Sequence, residues 1–232
     1  METGACDITH PMNAPEAWVE PDVLVHCASS GRGGPDAYRA VYRDGLCHLL
    51  EAFRPRLAIF VGSSSVYAQT DGSWVDENSP AQPTTETGHI LLEAESLALS
   101  AGGTVLRLSG IYGPHRSVLL RKYREGSAVL EEGGSRWINQ VHRDDGASAI
   151  VHIARLGIAG LFNVCDNHPA TQRDVYTWIA THLGGPLPPE GPAALPRKRG
   201  NSNKRVSNSK LRATGWEPRY PSYLSALEAQ AV

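Results

Sequence analysis

Short apolar runs alternate with longer segments of helical period along most of this chain, and that alternation constrains its fold more than any other feature. Residues 23–28 read VLVHCA, 57–61 LAIFV, 104–112 TVLRLSGIY and 161–165 LFNVC. Strands that are apolar on both faces belong in a parallel sheet covered on both sides. Between the first two, residues 35–53 place Tyr38, Val41, Tyr42, Leu46, Leu49, Leu50 and Phe53 at helical spacing. Residues 86–100 predict a helix that Gly102 and Gly103 end. Further helices are predicted over 119–130, 144–156 and 171–183, with Asp144 and Asp145 suited to the positive end of theirs. A polar, Pro-rich loop covers 68–85, and 137–142 reads as a short strand after Gly133 and Gly134. A basic run (RKRGNSNKR, 197–205) and a helical turn over 209–214 precede a Pro- and Tyr-rich tail. Strands alternating with helices predict an α/β fold.

The composition narrows the function classes. A net charge of −2 over 232 residues gives no pull toward nucleic acid or an anionic membrane. No apolar stretch approaches the ~20 residues that span a bilayer. The opening METGACDITHPMN has neither a basic start nor an apolar core, so it does not read as a signal peptide. The four cysteines are scattered without a C-x-x-C pair, which fits a reducing, cytoplasmic setting and no disulfide framework. Cys27 and Cys165 lie in apolar runs, where a thiol behaves as a small hydrophobe. No spacing such as H-E-x-x-H supports a metal site.

Several motifs carry chemistry. VLVHCASSG, FVGSSSVYA, DENSPAQP, LRLSGIYGP and INQVHRDDGASAI follow one another in that order. The chain thereby resembles the extended short-chain dehydrogenases/reductases, the NAD-dependent epimerase/dehydratases, from about residue 7 to about residue 223. The resemblance implies a Rossmann-type parallel sheet with a small C-terminal substrate lobe. It places an incomplete core at 1–165, with 115–140 contributing to the lobe, and the lobe and tail at 166–232. Ser63 falls where the family keeps a catalytic Ser or Thr, and a hydroxyl there also suits the capping of a turn. Ser64 and Ser65 beside it, and Arg116, become candidate substrate contacts. Ala28, Ser29, Ser30 and Gly31 would pass along the ribose and diphosphate of NAD or NADP, or form a plain flexible loop. Gly110, Ile111 and Tyr112 would lie beside the nicotinamide. Arg107 suits either a phosphate or an ion pair. His142 and Asp145 match a stretch that is more often structural than catalytic.

Two departures stand against that pattern. The family's Tyr-x-x-x-Lys falls on Thr87 and Leu91, which keeps Thr87 as a candidate catalytic position without an ionisable group. Losing positioned acid–base catalysis typically costs ~10²–10⁴-fold. His89, two residues on, is expected to face solvent, and Tyr67 to be structural. The glycine fingerprint that binds pyrophosphate is also missing, so the sheet is expected to lack its first β-α-β-α unit and cofactor binding to be weakened or lost. Residues 23–28 would then form an exposed apolar edge, through truncation or under a second copy in a homodimer. Two functions remain: an NAD(P)-binding epimerase/dehydratase-like protein acting on a small sugar or nucleotide-linked substrate, or a non-catalytic binding or regulatory module of the same fold. For the basic run, a solvated loop and an anion site are both open.

Overall fold

The computed structural model describes residues 3–31, 33–192 and 201–232. In chain order, β1 (Val23–His26) leads to α1 (Pro35–Tyr38), a π-type turn (Arg39–Asp44) and α2 (Gly45–Phe53). Then come β2 (Leu57–Ser63), a 3-10 turn (Ser64–Val66), β3 (Trp74–Val75), α3 (Glu86–Ser100), β4 (Thr104–Leu108) and β5 (Gly110–Tyr112). After α4 (Val118–Arg124) follow β6 (Leu130–Glu131), β7 (Trp137–Ile138), β8 (Gln140–His142), α5 (Arg143–Leu156) and β9 (Gly160–Val164). The last are β10 (Ala170–Thr171), α6 (Gln172–Leu183), β11 (Glu190–Gly191), β12 (Arg205–Val206), α7 (Ser209–Arg212) and α8 (Tyr223–Glu228).

The chain divides into two compact units, the first comprising 1–66, 82–107 and 150–162 and the second 67–81, 108–149 and 163–232. The first is built on a sheet of order β1-β2-β4-β9, in which β1 runs parallel to β2 with Val23 opposite Leu57 and His26 opposite Phe60. Its interior is made by Leu46, Ile59, Phe60, Ile90, Ala94, Val105, Leu106 and Ile153, each fully enclosed. As the apolar runs predict, β4 is buried from end to end and β2 from Leu57 to Phe60. β1 is the edge: Val25 is 39% exposed and Cys27 faces solvent, unlike the buried Cys165. The four cysteines are free thiols.

Three elements differ from expectation. The 35–53 segment is interrupted by the π-type turn, which offers the Val41 carbonyl to His26 Nε2 at 2.9 Å. The 104–112 strand breaks at Ser109, whose amide bonds Val164 O, so that β5 pairs in parallel with β8 in the second unit. The 119–130 helix stops at Arg124, because Gly126 adopts a φ of 67° and turns the chain into β6.

The second unit packs α4, α6 and α8 around Tyr112, Leu120, Tyr176, Ile179, Tyr223 and Leu227. Four two-stranded ladders frame it: β5 with β8, β6 with β11 and β3 with β12 in parallel, and β7 with β10 antiparallel. Helix α6 opens on a reciprocal cap, Thr171 and Asp174 each bonding the other's backbone amide.

Candidate functional site

In the first unit, β1 and β2 run parallel and end side by side, so Ala28 and Ser63 emerge at the same edge. Ligands of such sheets sit beyond the carboxyl ends of the strands. After β1, Ser29 Oγ accepts from the Gly31 amide and from Tyr42 Oη, both at 3.3 Å. Gly31 has a φ of 67°, which lets the turn reverse. Ser30 Oγ is buried without a hydrogen-bond partner. A hydroxyl left unsatisfied at a strand tip, beside a second serine, fits a ribose or phosphate oxygen. His26 lies just beneath, stacked 6.4 Å from Tyr42 and edge-on to Phe60 at 5.6 Å. Burial pushes its imidazole below the ordinary histidine range, and its Nδ1 is also unpartnered.

At the tip of β2, Ser63 is partly exposed and its Oγ accepts from the Ser65 amide at 3.2 Å, while Ser64 is buried. Helix α3 packs against β2 and this serine turn. Thr85 caps it, accepting from Gly88 N at 3.2 Å, and Thr87 Oγ1 lies 3.3 Å from Thr85 Oγ1. Leu91, one turn further and on the same side of the helix, is only 4% exposed. The position at which the resemblance would place a lysine lies in the apolar interior. His89 is exposed.

Arg107 is held in a buried ion pair. It is 5% exposed and grips Glu95, 3% exposed, through Nε at 3.0 and 3.1 Å and Nη2 at 2.6 Å. Burial pushes the Glu95 carboxyl upward against the pull of Arg107. Gly62 makes room for this pair, since a Cβ there would lie 3.3 Å from Glu95 Oε1.

The other candidates belong to the second unit. The Gly110 amide is already bonded to Asn139 O at 3.0 Å, and Ile111 is half-buried. Tyr112 is buried, its hydroxyl pushed up first by desolvation and then by Asp166 and Asp145. Arg116 is exposed, with no side-chain bond or ion pair among the described residues. His142 is enclosed: Nδ1 accepts from the Asp144 amide at 3.2 Å, so Nε2 donates to Ala231 O at 2.9 Å. Asp145 accepts from the amides of Arg219 and Tyr220 at 2.7 and 3.0 Å, an anchor for the tail. Tyr67 is likewise internal, donating to Asp76 O at 2.8 Å. Of the basic run, 197–200 lie outside the described residues, but Lys204 and Arg205 are held in place rather than solvated. Arg205 lies between Trp74 and Trp137, a grouping that the sequence does not announce because its members are so far apart. Among the described residues no cluster of three His, Cys, Asp or Glu could hold a metal, and no helix is long and apolar enough to cross a membrane.

Comparison with known proteins places this geometry in a family. Residues 2–165 match the NAD dependent epimerase/dehydratase family. The chain belongs to that family. It is 30% identical over 222 residues to the protein YeeZ of Escherichia coli, covering 90% of this chain and 75% of that one. It is 29% identical over 239 residues to a 3-diazoavenalumate denitrifying reductase from a Streptomyces species, covering 89% and 79%. A putative NAD-dependent epimerase/dehydratase from Methylobacillus flagellatus superimposes with a TM-score of 0.73 at 31% identity, over 90% of this chain and 74% of that one. A dTDP-glucose 4,6-dehydratase from Bacillus anthracis in complex with NAD and a human epimerase family protein with NADPH, at 20% and 18% identity, share the fold alone.

Proposed function

We propose that this protein holds NAD or NADP weakly along the tips of β1 and β2 and acts on a small sugar or nucleotide-linked substrate without the family's usual acid–base pair. The observation that carries this reading is Leu91, enclosed at 4% exposure one turn after Thr87. When bound, the nicotinamide supplies or takes the hydride. Ser29 and Ser30 offer hydroxyls to the dinucleotide, and Ser63, with Ser64 and Ser65 beside it, offers one to a substrate oxygen. Thr87 positions a neutral hydroxyl that does not ionise near neutral pH, so proton transfer falls to solvent or to the substrate. That substitution supports slow chemistry, lower by ~10²–10⁴-fold than with a tuned acid–base group.

The absence of a glycine fingerprint from these 232 residues supports the reading of weak cofactor binding. Hydrogen bonds to a charged group contribute about 1.5–3 kcal/mol each, so losing two weakens binding by roughly 10²–10⁴-fold. The exposed β1 edge supports a homodimer in which a second copy covers Val25. Fluorescence titration with NADH and NADPH tests the reading. Saturable enhancement with a high-micromolar to millimolar constant supports it. No saturation by either favours the second reading, a binding or regulatory module that has kept the fold and lost the cofactor, for which the buried Leu91 also speaks.

A further inference from the structure

Residues 217–222 run between α7 and α8 of the second unit and belong to no helix or strand. Their anchors come from other elements. The amides of Arg219 and Tyr220 donate to the two oxygens of Asp145 at 2.7 and 3.0 Å. Pro221 O accepts from Asn167 N at 3.0 Å and from His168 Nδ1 at 2.9 Å, and Ser222 O accepts from Tyr112 Oη at 3.4 Å. The Tyr220 ring lies 4.3 Å from that of His142. A segment held this way opens locally at less cost than the whole fold.

A second acid is enclosed beside Asp145 without the bonds that keep a carboxylate charged. Asp166 is 4% exposed, and its Oδ1 has no hydrogen-bond partner. Its backbone is pinned: its amide donates to Gln140 O at 2.8 Å, and Asn208 Nδ2 donates to Cys165 O at 2.8 Å and to Asp166 O at 3.3 Å. Burial holds its carboxyl well above the usual carboxylate range, against one amide bond from His168 and with the charge of Asp145 adding to the shift. The other ionisable groups around the segment respond differently. Burial pushes the Tyr112 and Tyr223 hydroxyls and the Cys165 thiol up, so they stay neutral. His168 Nδ1 faces a carbonyl and donates whether or not the ring is charged, and the Arg219 guanidinium lies over the Tyr220 ring. Glu77 is bonded to the Asn163 amide at 2.7 Å, away from the segment's anchors. His142 Nδ1 accepts from the Asp144 amide, so a proton there would loosen the seat toward low pH, the opposite sense.

We propose that residues 217–222 form a pH-sensitive strap, docked over Asp145 and Asp166 while Asp166 carries a proton and released when that proton is lost. The docked form keeps a proton that the freed carboxyl of the open form gives up above about pH 4. Each further pH unit therefore favours the open form about tenfold, until the docked form ionises as well. Opening uncovers the Tyr112 hydroxyl at the end of β5 and the His142 ring. The strap is independent of the cofactor reading and is tested without cofactor.

Hydrogen–deuterium exchange of the full chain from about pH 5 to about pH 9, either side of which other carboxyls and lysines titrate, reads the strap at the amides of Arg219, Tyr220 and Asn167. After correction for the intrinsic exchange rate, their protection is expected to fall by up to about tenfold per pH unit and then level off. The Ile179 amide, inside α6, should stay more protected throughout. Asp166→Asn, which has the same shape and no proton to lose, should keep the strap protected across the range. Protection that does not fall with pH, the same fall in Asp166→Asn, or a fall shared in full by Ile179 overturns the strap. Should Asp166→Asn fail to fold, infrared spectra of the wild type carrying isotope-labelled aspartate decide instead. A protonated-carboxyl band at about pH 6, where a free aspartate is ionised, is expected to fade together with the strap's protection. No such band, or one that outlasts the protection, overturns the proposal.

Discussion

Replacing Arg107 with methionine removes the cation from a carboxylate that has nowhere else to turn. Glu95 is 3% exposed, and its two oxygens receive three contacts from the one guanidinium, between 2.6 and 3.1 Å. Removing one partner of a buried pair costs about 3–5 kcal/mol, because the other charge stays buried and unpaired. For a chain of this length each kcal/mol shifts the melting temperature by roughly 2–4 °C. Arg107→Met should therefore melt about 6–20 °C below wild type. The pair itself is a different matter. Burial outweighs Arg107 in setting the Glu95 carboxyl, whose pKa stands above its ordinary value. Hence the double variant Glu95→Met/Arg107→Met should return to within about 1–2 kcal/mol of wild type. Urea unfolding of the four proteins gives the cycle. A single variant within ~1 kcal/mol of wild type, or a double variant worse than the sum of the singles, refutes the reasoning.

Leu91→Lys, made to restore the missing cation, should destabilise the protein by several kcal/mol and restore no activity, since it puts an ammonium into the apolar interior; thermal unfolding and NADH turnover check both halves. Asp145→Ala strands the amides of Arg219 and Tyr220 and should cost about 2–4 kcal/mol, visible as faster proteolysis of the tail. Gly72→Ala forces a side chain into a left-handed φ against Trp137 and should cost about 1–3 kcal/mol with an altered tryptophan spectrum. Lys204 titrates at about 8 in the fold against 10.5 in the free side chain. The unfolded chain thus binds the extra proton between those values, and this residue's contribution to stability should rise by about 3 kcal/mol from pH 8 to 10.5. Lys204→Met should lack that rise when the two unfolding curves are compared.

The sheet was legible because its middle strands are apolar on both faces, and residues 57–61 and 104–108 could sit nowhere else. Residues 23–28 read the same way but occupy an edge, since a strand's own letters do not say how many neighbours it has. That Thr87 and Leu91 stand where the family would carry Tyr and Lys is what the resemblance implies, and the enclosure of Leu91 comes from the fold. The fate of Arg107 was not, because Glu95 reaches it through packing rather than sequence proximity. The break at Ser109 was hidden within an unbroken apolar run, as the change of pairing partner depends on β8. Trp74, Trp137 and Arg205 meet only through the pairing of β3 with β12 and the Asn203 and Asn139 clamps, none of which has a local signature.

Hydrogen–deuterium exchange with and without saturating NADPH addresses the dinucleotide's location. Slowed exchange confined in the first unit to residues 28–31 and 63–66 is the expected outcome. Bound NADPH that leaves those two turns exchanging as fast as before would contradict the account.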